Sequence, residues 1–150
     1  MRYLTVAITS VLMAAGCWSA PNSNDGSKQI LHQWSGAQSS GASFATLVVK
    51  DAQAWRNVWE KIGRDPPQAF PPNTTALVVF LGQRPTGGYS VAITQLSPMG
   101  EYLAVEYREQ SPTADSRVAQ VITSPWTVVL APRISMPVRF APSTPGKSDQ

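Results

Sequence analysis

The sequence predicts a mostly β fold of the α+β class, an antiparallel β sandwich or sheet of about seven short strands with one packed helix. Thirteen prolines and ten glycines are scattered through 150 residues, which is typical of short strands separated by turns. Several runs of β-branched and aromatic residues alternate with polar residues, and only one segment has apolar residues at helical spacing. A hydrophobic content of 43% suits one small domain with a modest core.

The N-terminal residues 1–16 are expected to be a lipoprotein-type signal peptide. Arg2 supplies a positive charge, and the apolar run that follows is short for a membrane-spanning helix. Small residues precede Cys17, the only cysteine, in a pattern that resembles bacterial lipoprotein signals and implies lipidation of Cys17. An ordinary secretory leader cleaved near Ala20 is the alternative. Residues 17–27 are polar and predict a flexible tether, so we expect an exported, lipid-anchored envelope protein, periplasmic or on the surface.

The folded domain is expected over residues 28–140 and begins with two strands and the helix. Residues 29–34 and 44–49 have the composition of short strands. Asp51 is the predicted N-cap of the helix, apolar residues recur every three or four positions after it, and Gly63 is the predicted end.

Trp55 and Trp59 lie on the apolar face of this helix, one turn apart. A tryptophan pair in that position is typical of a helix anchored against a sheet. We interpret both residues as core rather than as a ligand site.

A β-hairpin is predicted at the centre of the chain, with residues 77–81 entering and residues 89–94 leaving. Pro85 presets φ for a type I turn, and Gly87 is expected to take a positive φ at the end of that turn. Gly88, without a Cβ, permits a close approach of another backbone. The connection is either a demanding structural turn or a stiff loop displayed to a partner.

The remaining strands are expected over residues 102–109, 118–123 and 126–131. A final edge strand is predicted at residues 136–140, where a proline is tolerated. Residues 141–150 are expected to form a disordered tail.

The residues needed for several kinds of chemistry are missing. His32 is the only histidine, and Cys17 lies outside the predicted domain, so neither a serine triad nor a Cys-His pair is indicated. Glu106 and Glu109 point to opposite faces of one strand, and no metal-ligand cluster or P-loop is present. The net charge of +3 comes without the basic stripe that nucleic-acid binding requires. We therefore expect a protein without catalytic activity, cofactor, metal or nucleic-acid partner.

Two segments carry a resemblance to a known family. The run from Val79 to Val91, with its Gly-x-x-Pro-Thr-Gly-Gly-Tyr core, and the later Thr-Ser-Pro-Trp ending at Trp126 resemble the C-terminal domain of the PrcB family. A Ser-Gly loop at residues 39–41 and the tryptophan-bearing helix extend the similarity to roughly residues 30–132. The resemblance implies a non-catalytic envelope domain that binds and stabilises a partner protease or protease complex.

The same segment is also similar to a loop of chagasin-type inhibitors, which have an Asn-Pro-Thr-Thr-Gly-Tyr sequence there. Arg84 replaces the asparagine, Gly87 the second threonine, and Val91 the tryptophan usual after the tyrosine. This resemblance implies a peptidase inhibitor as the alternative function, and a purely structural envelope lipoprotein is a third.

Both resemblances indicate the same candidate contact residues. The predicted partner-binding residues are Arg84, Pro85, Thr86, Gly87, Gly88 and Tyr89, with Ser124, Pro125 and Trp126 as a second edge. Ser124 and Pro125 alternatively form an ordinary turn, and Trp126 alternatively belongs to the core.

Overall fold

The structure is a computed structural model that describes residues 29–143. Within these residues it contains seven strands and one helix, which confirms the predicted mostly β fold. They are β1 (His32–Gly36), β2 (Ala45–Val49), α1 (Ala52–Ile62), β3 (Thr74–Phe80), β4 (Ser90–Met99), β5 (Tyr102–Gln110), β6 (Trp126–Pro132) and β7 (Val138–Pro142). The predicted signal peptide, Cys17, the tether and most of the predicted tail lie outside the described residues.

The strands form two sheets that pack face to face. Sheet I has the order β1-β6-β3-β2, and sheet II has the order β4-β5-β7. One apolar cluster, which includes Leu77, Val129 and Leu103, fills the space between the sheets. A second cluster lies between sheet I and α1. Strands β3 and β6 are covered on both faces, which explains why their sequences are continuously apolar rather than alternating.

Helix α1 begins and ends as predicted. The Asp51 carboxylate accepts a hydrogen bond from the backbone N–H of Ala54 at 2.8 Å, and Gly63 ends the helix with φ of 81°. Trp55 and Trp59 are 1% and 2% exposed, which confirms their assignment to the core. Trp59 packs edge-on against Trp126 of sheet I, with ring centroids 5.6 Å apart. No helix in the described part of the chain is long and apolar enough to cross a membrane.

The predicted central hairpin is wrong. Strand β3 pairs with β2 and β6, whereas β4 pairs with β5 in the other sheet. Residues 82–89 therefore cross from sheet I to sheet II instead of turning between two paired strands. The alternation of residues 89–94 correctly indicated an extended segment with Val91 and Ile93 buried, but alternation does not specify the pairing partner.

The C-terminal half differs from the prediction in two further places. Residues 118–123 do not form a strand, and the bridge recorded for them is an isolated one between Thr123 and Arg84. The last strand, β7, runs to Pro142 rather than to residue 140, and it pairs in parallel with β5. Sheet II is consequently mixed, although every strand pair of sheet I is antiparallel.

Candidate functional site

The candidate site is the end of the sandwich where the chain passes between the sheets. We call residues 82–89 the crossover and residues 119–125, which lead into β6, the return segment. The backbone N–H of Arg84 donates to the carbonyl of Thr123 at 2.8 Å, and the reverse bond is 3.0 Å. Gly87 N–H donates to the Ala119 carbonyl at 2.8 Å, and the Thr123 hydroxyl donates to the Thr86 carbonyl at 2.8 Å. The two segments are thus fixed to each other along most of their length.

Arg84 joins the crossover to sheet II. Its Nε donates to Glu109 Oε1 at 2.7 Å, and its Nη2 donates to Oε2 at 3.0 Å. Its Nη1 donates to the carbonyls of Leu81 and Gln83. The hydrogen bond from Arg84 lowers the pKa of Glu109 and, in turn, raises the pKa of Arg84. Because these bonds use the guanidinium, Arg84 holds the crossover in place more than it presents a charge to solvent.

Two glycines of the crossover, Gly82 and Gly88, have positive φ, whereas the sequence predicted a positive φ at Gly87. Gly82 has φ of 77°, and a Cβ there would lie 2.9 Å from the backbone N of Phe44. Gly88 has φ of 84°. The prediction of a positive φ at Gly87 is wrong, since the φ of Gly87 is not positive. The crossover therefore requires glycine at its first residue, where it passes against the segment before β2.

Ser124, Pro125 and Trp126 are buried at this end of the sandwich. The Ser124 hydroxyl donates to the carbonyl of Gly41, and the Ser39 hydroxyl donates to the Ser124 carbonyl at 3.1 Å. Trp126 is 1% exposed. Its indole N–H donates to the carbonyl of Gln38 at 2.9 Å. Their side chains pack inward in this structure.

The exposed residues of this end are different ones. Pro85 lies at the surface, and Thr86 and Tyr89 are partly exposed. Val121 and Ile122, in the return segment, are 52% and 63% exposed. Neither residue was predicted to be a contact residue, because two adjacent aliphatic residues beside a Ser-Pro turn resemble a strand. Their prominence depends on hydrogen bonds to a crossover more than thirty positions away, for which the sequence contains no local signal.

A shallow groove of about 210 Å³ adjoins Ile122. Its lining consists mainly of the loop at residues 38–42, together with Gln83, Ile122, Thr123 and Ser124. Among the described residues, no group of three or more His, Cys, Asp or Glu side chains could hold a metal. The surface therefore offers apolar side chains beside backbone and hydroxyl groups, a combination suited to contact with a protein.

The fold and this site define a small β-sandwich domain that presents two aliphatic residues on a backbone fixed at several points. Residues 75–131 match the family model described as PrcB C-terminal, which supports a PrcB-like domain in this part of the chain. The matched region runs from β3 to β6 and includes the crossover and the return segment. No curated protein and no solved structure gave a significant match to the chain.

Proposed function

We propose that this protein is a non-catalytic, lipid-anchored envelope protein that binds a partner protease or protease complex and stabilises it. The observation that supports this proposal is the exposure of Val121 and Ile122 on the return segment, whose flanking residues are hydrogen-bonded to the crossover. Exposed aliphatic residues on a backbone that is already ordered lose little conformational entropy on binding. The family name adds the expectation that the partner is connected with a protease complex.

The position at which the N-terminal part of the chain enters the domain is consistent with this proposal. The backbone N–H of Leu31 donates to the carbonyl of Leu130, near the end of β6, whereas Leu81 N–H donates to the carbonyl of Pro125 just before β6 begins. The length of β6, about 20 Å, therefore separates the N-terminal entry from the crossover. With Cys17 acylated and residues 17–27 as a tether, the anchor joins the domain at the end opposite the crossover and leaves the crossover accessible to a partner.

The test compares two variants that remove exposed apolar residues from opposite ends of the sandwich. Ile122→Asp alters the proposed interface, and Met99→Asp is the matched control because Met99 is 54% exposed at the far end of β4. Full-length chain is expressed in its own cells, and captured proteins are identified by mass spectrometry. We expect a protease or its complex with the wild type and with Met99→Asp, but not with Ile122→Asp.

Measurement of the captured protease then decides what binding does. An increased lifetime with activity retained supports a stabilising subunit, whereas loss of activity on binding indicates an inhibitor. Equal capture by the wild type and both variants, with equal melting temperatures, would show that the return segment is not part of the interface. Absence of an acyl chain on Cys17 in the mass spectrum of the purified wild-type chain would contradict the lipid anchor.

A further inference from the structure

The outer edge of β2 is open and lacks the features that usually prevent pairing with another strand. Within residues 29–143, the hydrogen-bonded neighbour of β2 is β3 alone, which makes β2 an edge of sheet I. Its five residues, Ala45–Val49, include no charge and no proline. A short uncharged edge with unpaired N–H and C=O groups is a template for a further strand.

The two outer strands of sheet II differ from β2 in this respect. Strand β4 is interrupted by a register shift between Ile93 and Gln95 and contains Pro98. Strand β7 contains Arg139 and ends in Pro142. Bulges, prolines and charges are the devices by which natural sheets block edge-to-edge association. Both outer strands of sheet II have such devices, whereas the outer strands of sheet I, β1 and β2, contain no proline and no Lys, Arg, Asp or Glu residue. Of these two strands, β2 is the one that borders an apolar groove along α1.

Apolar surface surrounds this edge on both faces of sheet I. Phe44 and Val48 are 53% and 38% exposed, although both are large hydrophobic residues. On the helix side, a groove of about 240 Å³ runs between β2 and α1, and its lining is mainly apolar. The residues that line it are Leu47, Val48, Val49, Ala54, Asn57, Val58 and Lys61. A strand beside β2 would therefore insert apolar side chains under the flank of the helix.

The sequence of β2 is self-complementary in the antiparallel direction. A two-fold axis through Leu47 places Ala45 opposite Val49 of the second copy and Thr46 opposite Val48 of the second copy. Each of these pairs is apolar or β-branched, and no like charges meet. The same register brings exposed Phe44 opposite Lys50 of the second copy, where the aromatic face can cover the lysine stem.

We infer that the protein forms a symmetric dimer in which the β2 strands of two copies pair antiparallel around Leu47, joining the two copies of sheet I. The interface is isologous, and each groove between β2 and α1 receives the apolar side chains of the other copy. The crossover and the return segment are not part of it, so this inference is independent of the proposed partner binding.

Cysteine scanning tests the dimer and its register in the full-length chain. Single Thr46→Cys, Leu47→Cys and Val48→Cys variants are oxidised in cells and examined without reductant, with the wild type as the control for Cys17. Only the residue on the two-fold axis faces its own copy within disulfide distance. We expect Leu47→Cys to give the strongest band at twice the mass of its own reduced chain.

A second test of the dimer places a charged residue at the outer edge of β2. Adding Val48→Lys to Leu47→Cys should lower the crosslinked fraction at least about tenfold, because it buries a lysine at the strand edge. Adding Met99→Lys, on the exposed far end of β4, should leave the fraction unchanged. Melting temperatures of the variants show that each is folded.

Sedimentation of the chain carrying Cys17→Ala checks the result without an engineered thiol. A mass twice that of the monomer, reduced to one chain by Val48→Lys, supports the dimer. A monomer at high concentration overturns it, as does crosslinking that Val48→Lys leaves unchanged. A crosslinked band of another mass would show that the strand of a different protein occupies the edge, which also overturns the inference.

Discussion

Replacing the crossover glycines by alanine tests the backbone conformation on which the candidate site depends. Gly82 has φ of 77°, and a Cβ there would lie 2.9 Å from both the backbone N of Phe44 and the backbone C of Ser43. Gly87 has no positive φ, and a Cβ there would lie 3.5 Å from the Cβ of Ala119, an ordinary contact. Two glycines five residues apart should therefore respond in opposite directions to the same substitution.

The expected magnitudes follow from these contacts. An L-residue in the left-handed region costs about 1–2 kcal/mol. At Gly82 the close atoms belong to the backbone and cannot move aside cheaply, so Gly82→Ala should cost about 2–4 kcal/mol in all. Gly87→Ala should be neutral or stabilise by up to about 1 kcal/mol, since alanine lowers the entropy of the unfolded chain.

Urea unfolding monitored by tryptophan fluorescence measures these changes, because buried Trp55, Trp59 and Trp126 report loss of the core. Gly88→Ala is a useful third variant. Gly88 also has a positive φ, but its close contacts are the side chains of Pro112 and Val118, so the loss should not exceed that at Gly82. Equal destabilisation by Gly82→Ala and Gly87→Ala would refute the described course of the crossover.

Two further substitutions test the hydrogen bonds that hold this end together. Ser124→Ala leaves the Gly41 carbonyl without its buried donor and should cost about 1–3 kcal/mol in a thermal melt, whereas Ser40→Ala, which removes an exposed hydroxyl, should cost less. Glu109→Gln should cost no more than about 1 kcal/mol near neutral pH, because the pair with Arg84 is partly exposed. Since Arg84 lowers the pKa of Glu109 in the folded state, this stabilisation is present above the ordinary glutamate pKa and is lost as pH falls through the folded value. Urea melts at neutral and strongly acidic pH measure it, and a difference that persisted in acid would rule out the ion pair as its source.

Features that depend on neighbouring residues could be read from the sequence. The cap at Asp51 and the end at Gly63 are confirmed because they depend on contacts within one helical turn. The burial of Trp55 and Trp59 is confirmed because their spacing places them on the apolar face of the helix. The buried positions Val91 and Ile93 were also correctly assigned to one face of an extended segment. Local periodicity determines these features.

Features that depend on pairing between distant segments could not be read in this way. The run from β3 into the crossover followed by an alternating segment has the composition of a hairpin, yet β3 forms ladders with β2 and β6. Val121 and Ile122 were likewise predicted to lie in a strand because of their aliphatic side chains. The flanking residues Ala119 and Thr123 are hydrogen-bonded to Gly87 and Arg84 instead of forming a ladder, and these bonds join segments more than thirty positions apart.

The two motifs behind the family resemblance form one structural unit. The crossover motif and the Thr-Ser-Pro-Trp motif at residues 123–126 are far apart in sequence, but Thr123 bonds to Arg84 and Thr86 at the point where the motifs meet. Most residues of both motifs form turns, make buried hydrogen bonds through their hydroxyl groups or pack in the core. A sequence that matches both motifs is therefore expected to pass between the sheets in the same way. Pro85, Val121 and Ile122 are exposed and make no comparable demand on the fold. Partner choice should therefore depend on these exposed residues, and substitution of Ile122 should change binding while leaving stability almost unchanged.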